Sequence, residues 1–225
     1  MTSYSLREGV SHLAVCLRLQ GGKLDRPVDL TLSTRDGTAQ ANADYNSNLV
    51  VTDFLPADNN QKCVDIAVTD DKLVEVNETF VLVLTTVESA ISLSPDTAMI
   101  TIIDNDRVTM ALKQSHIIVQ ESIGELKVFV ELTGALQREV TILLESMDGS
   151  ASSSLGDFTA FSEMLTFPPN SVTGSTITFT IKVEDDHLVE GIQYFTFHAT
   201  SMDKAVQFEP QRDNATVFIE DNDGR

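Results

Sequence analysis

An acidic sequence module occurs twice in this chain of 225 residues. The string DND at residues 104–106 recurs at residues 221–223, and the block DDKLVE at residues 70–75 recurs as DDHLVE at residues 185–190. The two blocks lie 115 residues apart and the two strings 117, so the copies stay nearly in register. Repeats of this length match the usual size of a domain, which predicts two domains of the same kind in tandem.

Apolar residues recur with a period of two through both copies. In residues 13–19 and in residues 126–132, every second position is Leu or Val. This alternation is typical of a strand with one face on the core and the other toward water. Turn-forming pairs such as Gly21-Gly22 separate the runs. Six or seven short strands per copy predict an all-β fold of two immunoglobulin-like antiparallel β-sandwiches, residues 1–106 and residues 107–225, without a helix longer than one turn.

The chain is strongly acidic. It has 34 Asp and Glu residues against 15 Lys and Arg, which gives a formal net charge of −19. Such a field repels phosphate groups, which argues against nucleic acid and anionic membranes as partners and in favour of cations. No apolar run is long enough to cross a bilayer, and residues 1–6 do not resemble a signal peptide. We expect a fragment of a larger protein, with the first strand of its first domain truncated and no direct membrane insertion.

The order of the repeated motifs resembles the Calx-β family, whose modules occur in sodium–calcium exchangers and in large extracellular and adhesion proteins. The matching motifs of the first copy are Asp36-Gly37-Thr38-Ala39, Asp44-Tyr45, the acidic block from Asp70 to Phe80, and Thr101 to Asp106. The second copy keeps Asp148-Gly149-Ser150-Ala151, Asp157-Phe158, Asp185 to Glu190 and Phe218 to Asp223. The resemblance covers nearly the whole chain. It implies a seven-stranded sandwich in each copy, with Ca²⁺ bound by loops at one end.

The chemistry of the repeated acids suits Ca²⁺, which takes about 6–8 oxygen ligands. In a sandwich, alternate connections lie at the same end, so acidic turns from separate loops can converge there. Carried over position by position, the resemblance implies the first-copy ligands Glu8, Asp44, Asp70, Asp71, Glu75, Glu78, Asp104 and Asp106, with Leu73 as a main-chain carbonyl ligand. It implies Glu121, Asp157, Asp185, Asp186, Glu190, Asp221 and Asp223 in the second copy, with Leu188 in the place of Leu73 and the neutral Gln193 in the place of Glu78.

Each of these acids also has a simpler interpretation. A single acidic loop residue is more often solvated than bound to a metal, and only the recurrence of the whole set favours a metal site. For Asn105 and Asn222, a turn role and a ligand role both remain open. Asp36 and Asp148, each followed by Gly, are predicted to form turns and are not included among the ligands.

Both cysteines lie in the first copy. By the alternation, Cys16 and Cys63 face away from the core residues beside them. If their strands are neighbours, as in the family, the two thiols lie opposite each other as a cross-strand pair. Two unpaired surface thiols are the alternative. A bond between them would indicate an oxidising compartment.

The sequence contains no nucleophile elbow, phosphate-binding loop, dinucleotide fingerprint or metalloprotease helix, so an enzyme is not expected. The expected function is that of a calcium-binding fragment of an extracellular or cell-surface adhesion or matrix protein, in which Ca²⁺ stiffens the junction between the domains. Its expected partners are Ca²⁺, neighbouring domains of the parent chain and proteins involved in adhesion. Two alternatives stay open: an intracellular regulatory Ca²⁺ sensor of an exchanger-like transporter, and a passive structural spacer.

Overall fold

The computed structural model describes residues 2–10, 12–47, 50–56 and 61–223. In the described residues, the regular elements are strands and one 3₁₀ turn, Glu121–Ile123. The strands, in chain order, are β1 (Thr2–Arg7), β2 (Leu13–Arg18), β3 (Val28–Asp36), β4 (Val50–Phe54), β5 (Gln61–Ile66), β6 (Leu73–Val74), β7 (Glu78–Thr85), β8 (Thr97–Ile103), β9 (Val108–Leu112), β10 (His116–Gln120), β11 (Glu125–Thr133), β12 (Ala135–Leu136), β13 (Val140–Asp148), β14 (Ser162–Phe167), β15 (Thr176–Lys182), β16 (Gln193–Thr200), β17 (Val206–Phe208) and β18 (Asn214–Glu220). None of the described segments is a helix of the length and apolarity needed to span a bilayer.

Unit 1 comprises residues 1–71 and 76–105 and is a sandwich of two sheets. One sheet has the order β1-β8-β7-β3-β4, and the other pairs β2 with β5. β1 runs parallel to β8, whereas the other pairs are antiparallel. Alternate residues of both sheets fill a common core, in which Tyr45 stacks on Phe80 with ring centroids 3.9 Å apart.

Unit 2 comprises residues 72–75 and 106–225. Its sheets have the orders β10-β18-β16-β13-β14 and β15-β11-β9-β17, and the short strands β12 and β6 pair separately. β10 runs parallel to β18, as β1 does to β8 in unit 1. Phe158 stacks on Phe195 with ring centroids 4.0 Å apart, which repeats the Tyr45–Phe80 pair of unit 1. The predicted all-β, immunoglobulin-like sandwich is thus confirmed in each unit.

The predicted alternation is observed in β11, where Leu126, Val128, Val130 and Leu132 are all buried. The prediction of six or seven strands per copy is too low for unit 2. The run at the start of that copy divides into β9 and β10, which join different sheets, and β12 and β17 contribute further short strands. Alternation reports a half-buried strand but does not show at which residue a strand leaves one sheet for the other.

Each Asp-Gly pair, predicted to form a turn, lies where a strand ends and a bend begins. Asp36 accepts hydrogen bonds from the backbone amide of Ala41 (3.0 Å) and from the Tyr45 hydroxyl, and these bonds hold the loop after β3. Gly37 is required by close backbone packing, because a Cβ at this position would lie 2.3 Å from the carbonyl oxygen of Thr79. Both members of the pair therefore have structural roles that need no metal.

Cys16 and Cys63 form a disulfide. They are Cα partners in the β2–β5 pair, and both face away from the core. The predicted cross-strand pair is confirmed, and the alternative of two free thiols is wrong. Sequence spacing alone could not choose between them, because the bond depends on the register of two strands 47 residues apart.

Candidate metal centre

The ends of two paired strands bring three acids of unit 2 close together. Glu121 directly follows β10, and Asp221 and Asp223 follow β18. Since β10 and β18 are parallel, with Gln120 opposite Glu220, the chain leaves both strands at the same edge of the sheet. One carboxylate oxygen from each of the three acids lies within 4.8 Å of the others. The acids at the two strand ends therefore form a compact carboxylate triad.

The triad is only partly accessible to water. The residue Glu121 is 6% exposed, and the side chain of Asp223 is 23% exposed. Oδ2 of Asp223 is buried and has no hydrogen-bond partner in the described part of the chain. A buried carboxylate oxygen without a donor loses its hydration without replacement, which is costly for a charged group. A cation beside this atom would compensate for that loss.

A small cavity lies beside the triad. Its volume is about 10 Å³, close to the space that one water molecule needs. Its walls are Glu121, Asp157, Glu184, Glu190, Gly191, Gln193, Ile219 and Asp221. Five of these eight residues are acidic, so this is a space of single-ion size surrounded by carboxylates and one amide. The cavity and the triad share Glu121 and Asp221.

The carboxylates around this cavity destabilise one another's charges. Burial raises the pKa of Glu121; a hydrogen bond from the Asp186 amide opposes the shift, and the charges of Asp186, Asp185 and Asp221 add to it. The pKa of Glu190 is also raised, first by desolvation and then by the charges of Asp157, Asp186 and Asp221. The two upward pKa shifts have the same consequence. The site is costly to hold in its charged form unless a cation is present.

Backbone amides hold several of these acids in place. The Asp186 amide donates to Oε1 of Glu121 (3.1 Å), and the Glu190 amide donates to Oδ2 of Asp221 (2.9 Å). Asp157 accepts at Oδ2 from the Ser152 amide (2.6 Å). Asp221 also accepts at Oδ1 from the Asp223 amide (2.7 Å). The arrangement positions the carboxylates without neutralising them.

The loop before β16 contributes structural contacts as well as acids. The Leu188 amide donates to Oδ1 of Asp186 (2.6 Å). Asn222 accepts from the Ser122 amide (3.1 Å) and donates to Oδ1 of Asp185 (3.3 Å), so its side chain joins three segments of the site. These two bonds give the Asn222 side chain a structural role that differs from both the turn role and the ligand role considered for it.

Gln193 is the neutral member of the site. Its amide nitrogen donates to Oε2 of Glu190 (2.9 Å), and Gln193 also lines the small cavity. In unit 1 the equivalent residue is Glu78, which is the first residue of β7, as Gln193 is of β16. The second copy therefore has one carboxylate fewer at this position.

In unit 1, acids again follow the ends of a parallel pair of strands. Glu8 follows β1 and Asp104 follows β8, and these strands are also parallel. Carboxylate oxygens of Glu8 and Asp71 lie within 4.8 Å of each other, and those of Asp44 and Glu78 do so as well. Glu8 and Glu78 are buried, Asp44 and Asp104 are half-buried, and Asp70 and Asp71 are exposed.

Two shared details show that the loops of the copies are built alike. The Gln40 amide donates to Oδ2 of Asp44 (2.6 Å), as the Ser152 amide does to Asp157. The Thr69 amide donates to the Asp44 carbonyl (2.9 Å), as the Glu184 amide does to the carbonyl of Asp157. The equivalence of Asp44 and Asp157 thus extends from sequence to hydrogen bonding.

The other three predicted residues of the first copy lie in unit 2. Leu73 is in β6, where its Cα partner is Ala135. Glu75 is buried, and its carbonyl oxygen accepts from Nε of Arg138 (3.0 Å). Asp106 is half-buried and lies between β8 and β9. The carbonyl of Glu75 thus has a structural role within unit 2.

Sequence reasoning missed Glu184, which lines the small cavity. Hydrogen bonds from Lys182 and Thr159 lower the pKa of this carboxylate, so its charge is already compensated. It precedes the Asp185-Asp186 pair, but its counterpart in the first copy is Thr69. A search based on residues shared by the copies could not find it.

The chain belongs to the Calx-beta domain family, whose model matches residues 1–106 and again residues 104–223. Over 182 residues, or 76% of the chain, it is 33% identical to Adhesion G-protein coupled receptor V1 of Danio rerio, of which it spans 3%. Over 207 residues, or 84% of the chain, it is 29% identical to Sodium/calcium exchanger 1 of Rattus norvegicus, of which it spans 21%. The chain therefore spans a small part of each relative's length.

Solved structures of Calx domains resemble the chain. The apo form of the Calx CBD1 domain is 29% identical, with a TM-score of 0.48, over 52% of this chain and all of that one. The two-domain fragment CBD12 from CALX1.2 is 18% identical, with a TM-score of 0.45, over 97% of this chain and 96% of that one.

Proposed function

We propose that each copy binds Ca²⁺ through its acidic loops and that the chain is a non-enzymatic, calcium-binding part of a larger protein. The small acidic cavity beside Glu121, Asp221 and Asp223 carries this proposal. It combines single-ion size with a ring of carboxylates whose charges disfavour one another. A divalent cation would remove both the repulsion and the cost of the buried Asp223 oxygen.

The types of ligand favour Ca²⁺ over other biological metals. Zn²⁺ prefers Cys and His ligands, and the cavity is lined by neither. His187 is the histidine beside the triad, but its side chain is 98% exposed and its Nδ1 lies 4.0 Å from Asp223. Mg²⁺ requires near-ideal octahedral geometry and usually keeps several waters, whereas Ca²⁺ accepts a variable number of carboxylates and carbonyls from several loops. Oxygen ligands from four segments of unit 2 suit Ca²⁺ best.

We propose as ligands of each copy the full sets of residues that the resemblance to the family implies. Glu121 and Asp221 are shared by the triad and the cavity, so we propose two adjacent ion positions in unit 2. Gln193 would act through its amide oxygen, since its nitrogen donates to Glu190. We also propose domain limits of 1–106 and 107–225, so that each domain carries one such site.

We propose an extracellular or cell-surface location in an adhesion or matrix protein. The Cys16–Cys63 disulfide supports this location, because disulfides persist in oxidising compartments and are rare in the cytosol. The 33% identity to an adhesion receptor supports it as well. If the thiols are instead found free in the protein isolated from its native source, the alternative of an intracellular sensor related to the exchangers is favoured.

We further propose that Ca²⁺ stiffens the link between the domains. The chain passes from the end of β8 at Ile103 to the start of β9 at Val108 through four residues, and two of these are the acids Asp104 and Asp106. A cation bound by both would restrict the backbone of that link. Small-angle scattering with Ca²⁺ and with chelator tests this: an unchanged distance distribution, with Ca²⁺ bound, contradicts it.

Calorimetric titration of the metal-free chain with Ca²⁺ tests the binding itself. We expect saturable binding of more than one ion, and Asp221→Asn should reduce the number or affinity of the ions bound. Glu163→Gln is the matched control, since Glu163 is an exposed acid on β14, outside the site. The absence of heat and of any change in melting temperature with millimolar Ca²⁺ would refute calcium binding and favour the passive spacer.

A further inference from the structure

The sequence contains two acceptor sequons for N-linked glycosylation, Asn77-Glu78-Thr79 and Asn214-Ala215-Thr216. Such triplets also occur by chance in a chain with many Ser and Thr residues, so the position of each Asn in the fold has to distinguish between them. Both asparagines are exposed. They differ in what lies beside them on the surface.

Asn77 lies in the acidic block of the first copy. It directly precedes Glu78, which is buried and is one of the proposed Ca²⁺ ligands. The backbone amide of the next residue, Thr79, donates to Oγ1 of Thr38 (2.7 Å), which holds this part of the loop in place. A glycan is bulky, and on Asn77 it would crowd the loop that supplies proposed ligands of unit 1. The proposed ion site therefore disfavours modification of Asn77.

Asn214 lies far from the acids of unit 2. It is the first residue of β18, whose last residue, Glu220, precedes the proposed ligand Asp221. The length of the strand separates the two ends by about 20 Å. Nδ2 of Asn214 donates one hydrogen bond, to Oδ1 of Asp213 (3.1 Å), and an amide nitrogen carries two hydrogens. A sugar can therefore replace the other hydrogen without loss of this bond and without blocking the ion site.

The face of the sheet that carries Asn214 also carries exposed apolar side chains. Ile118, Phe218 and Tyr194 are cross-strand neighbours on β10, β18 and β16, and we name these three residues the outer cluster. Ile118 is 59% exposed and Tyr194 is 43% exposed. The ring of His116 packs against Phe218, with ring centroids 4.7 Å apart. Exposed apolar patches favour association with other molecules unless something covers them.

Unit 1 has polar residues at the positions of the outer cluster. Ser5, Thr101 and Thr79 occupy them, with the same cross-strand pairing on β1, β8 and β7. The counterpart of Asn214 is Thr97, which lies 117 positions earlier, the offset of the repeated DND strings. The apolar cluster and the sequon on its face thus occur together in one copy and are replaced together in the other. The sandwich itself requires neither, which indicates a joint role.

We propose that Asn214 carries an N-linked glycan and that its sugars cover the outer cluster. The inference rests on the proposed extracellular location, which the Cys16–Cys63 disulfide supports, because the oxidising secretory compartment is also where such glycans are added. Phe218 lies four residues further along β18, about 13 Å away, which is within reach of an oligosaccharide.

The transfer requires a lipid diphosphate-linked oligosaccharide as the donor. Nδ2 of Asn214 forms a bond to the anomeric carbon of the first N-acetylglucosamine and loses one proton. The bond between that carbon and the donor's diphosphate oxygen breaks, and the lipid diphosphate leaves with the electron pair. Nothing is oxidised or reduced, and Thr216 supplies the hydroxyl that the acceptor sequon requires.

Mass spectrometry of the full chain, secreted from cultured animal cells behind a cleavable secretion signal, tests the modification. We expect the peptide that contains Asn214 to gain the mass of N-acetylhexosamine and hexose units, and peptide N-glycosidase to remove that mass. Thr216→Ala should abolish the gain, whereas Thr216→Ser should retain it, because the sequon accepts either hydroxyl residue. Asn77→Gln should leave the gain unchanged. The Thr216→Ser variant controls for any effect of the substitution on folding.

Removal of the glycan from the folded chain tests whether it covers the outer cluster. After treatment with peptide N-glycosidase, binding of an apolar fluorescent dye should rise severalfold, because Ile118, Phe218 and Tyr194 become accessible. In Tyr194→Thr, which has the residue type of Thr79 in unit 1, the rise should be smaller. This comparison uses chain that has already folded and been secreted, so a folding defect cannot produce the result.

The outcomes separate this inference from the proposed calcium binding. A secreted, disulfide-bonded chain that binds Ca²⁺ but has no sugar on Asn214, or has sugar on Asn77 alone, would overturn the inference and leave calcium binding intact. A glycan on Asn214 of a chain that binds no Ca²⁺ would support the inference while refuting the ion sites. Dye binding that does not change when the glycan is removed would overturn the covering of the outer cluster.

Discussion

Replacing Glu121 by Gln should change the stability of unit 2 in opposite directions with and without Ca²⁺. Glu121 is buried beside Asp221 and Asp223, with carboxylate oxygens within 4.8 Å. At that distance two unit charges repel by about 3.5 kcal/mol at an effective dielectric constant of about 20. Water reaches the two aspartates, so we expect a net relief of about 1–2 kcal/mol. Gln can still accept the hydrogen bond from the Asp186 amide.

In chelator, Glu121→Gln should therefore raise the melting temperature of unit 2 by roughly 3–8 °C. In Ca²⁺ the wild type gains about 2.7 kcal/mol at an ion concentration of 100 times its Kd, while the variant loses a charged ligand shared by the triad and the cavity. The variant's advantage should disappear or reverse. Differential scanning calorimetry in both conditions measures the effect.

Glu163→Gln is the matched control, because Glu163 is an exposed acid on β14, outside the site. Its effect should be small and the same in chelator and in Ca²⁺. If Glu121→Gln destabilises unit 2 equally in both conditions, Glu121 is a structural residue that binds through the Asp186 amide, and the ligand assignment is wrong.

Three further predictions concern the differences between the copies and the behaviour of the metal-free chain. Gln193→Glu should tighten Ca²⁺ binding in unit 2, and Glu78→Gln should weaken it in unit 1, since ligand charge is a main determinant of affinity. Unchanged calorimetric affinities in both variants would contradict the assignment of these two positions as ligands. The fold raises the pKa of Glu121, so the destabilisation caused by its charge is absent below the ordinary pKa of 4.5 and appears as pH rises through the folded pKa. The melting-temperature advantage of Glu121→Gln in chelator should therefore be largest near neutral pH and vanish in acid. A pH-independent difference would exclude this cause. Gly9→Ala should lower the stability of unit 1 by roughly 1–2 kcal/mol, because Gly9 has φ +73° and a Cβ would lie 3.2 Å from Oδ1 of Asp70. A denaturant midpoint equal to that of wild type would show that the loop accommodates the Cβ without loss of stability.

Much of the fold could be predicted because the signals are local and occur twice. The alternation at residues 126–132 gives the buried face of β11, and the end of β18 at Glu220 places the final acids directly after a strand. The division between β9 and β10 could not be predicted, since both halves are apolar and alternate, and only tertiary packing determines which sheet each one joins.

The composition of the site could be predicted better than its geometry. Recurrence singled out Glu121 and Asp221, but sequence cannot show that their oxygens approach each other while the Glu190 amide binds Asp221. Those contacts depend on the parallel register of β10 and β18, which joins residues 100 positions apart. A search for residues shared by the copies cannot find a residue that occurs in one copy only, and Glu184 was missed for that reason.

Features that both copies share and features that differ between them are informative for different reasons. The stacked ring pairs, the amides bound to Asp44 and Asp157, and the parallel pairs β1–β8 and β10–β18 are common to both units. Departures from the repeat are then evidence of different constraints. Gln193 removes one charge from a crowded site, which reduces repulsion in the metal-free state and also reduces attraction for a cation. The second copy should therefore change less in stability than the first between the Ca²⁺-free and Ca²⁺-bound states.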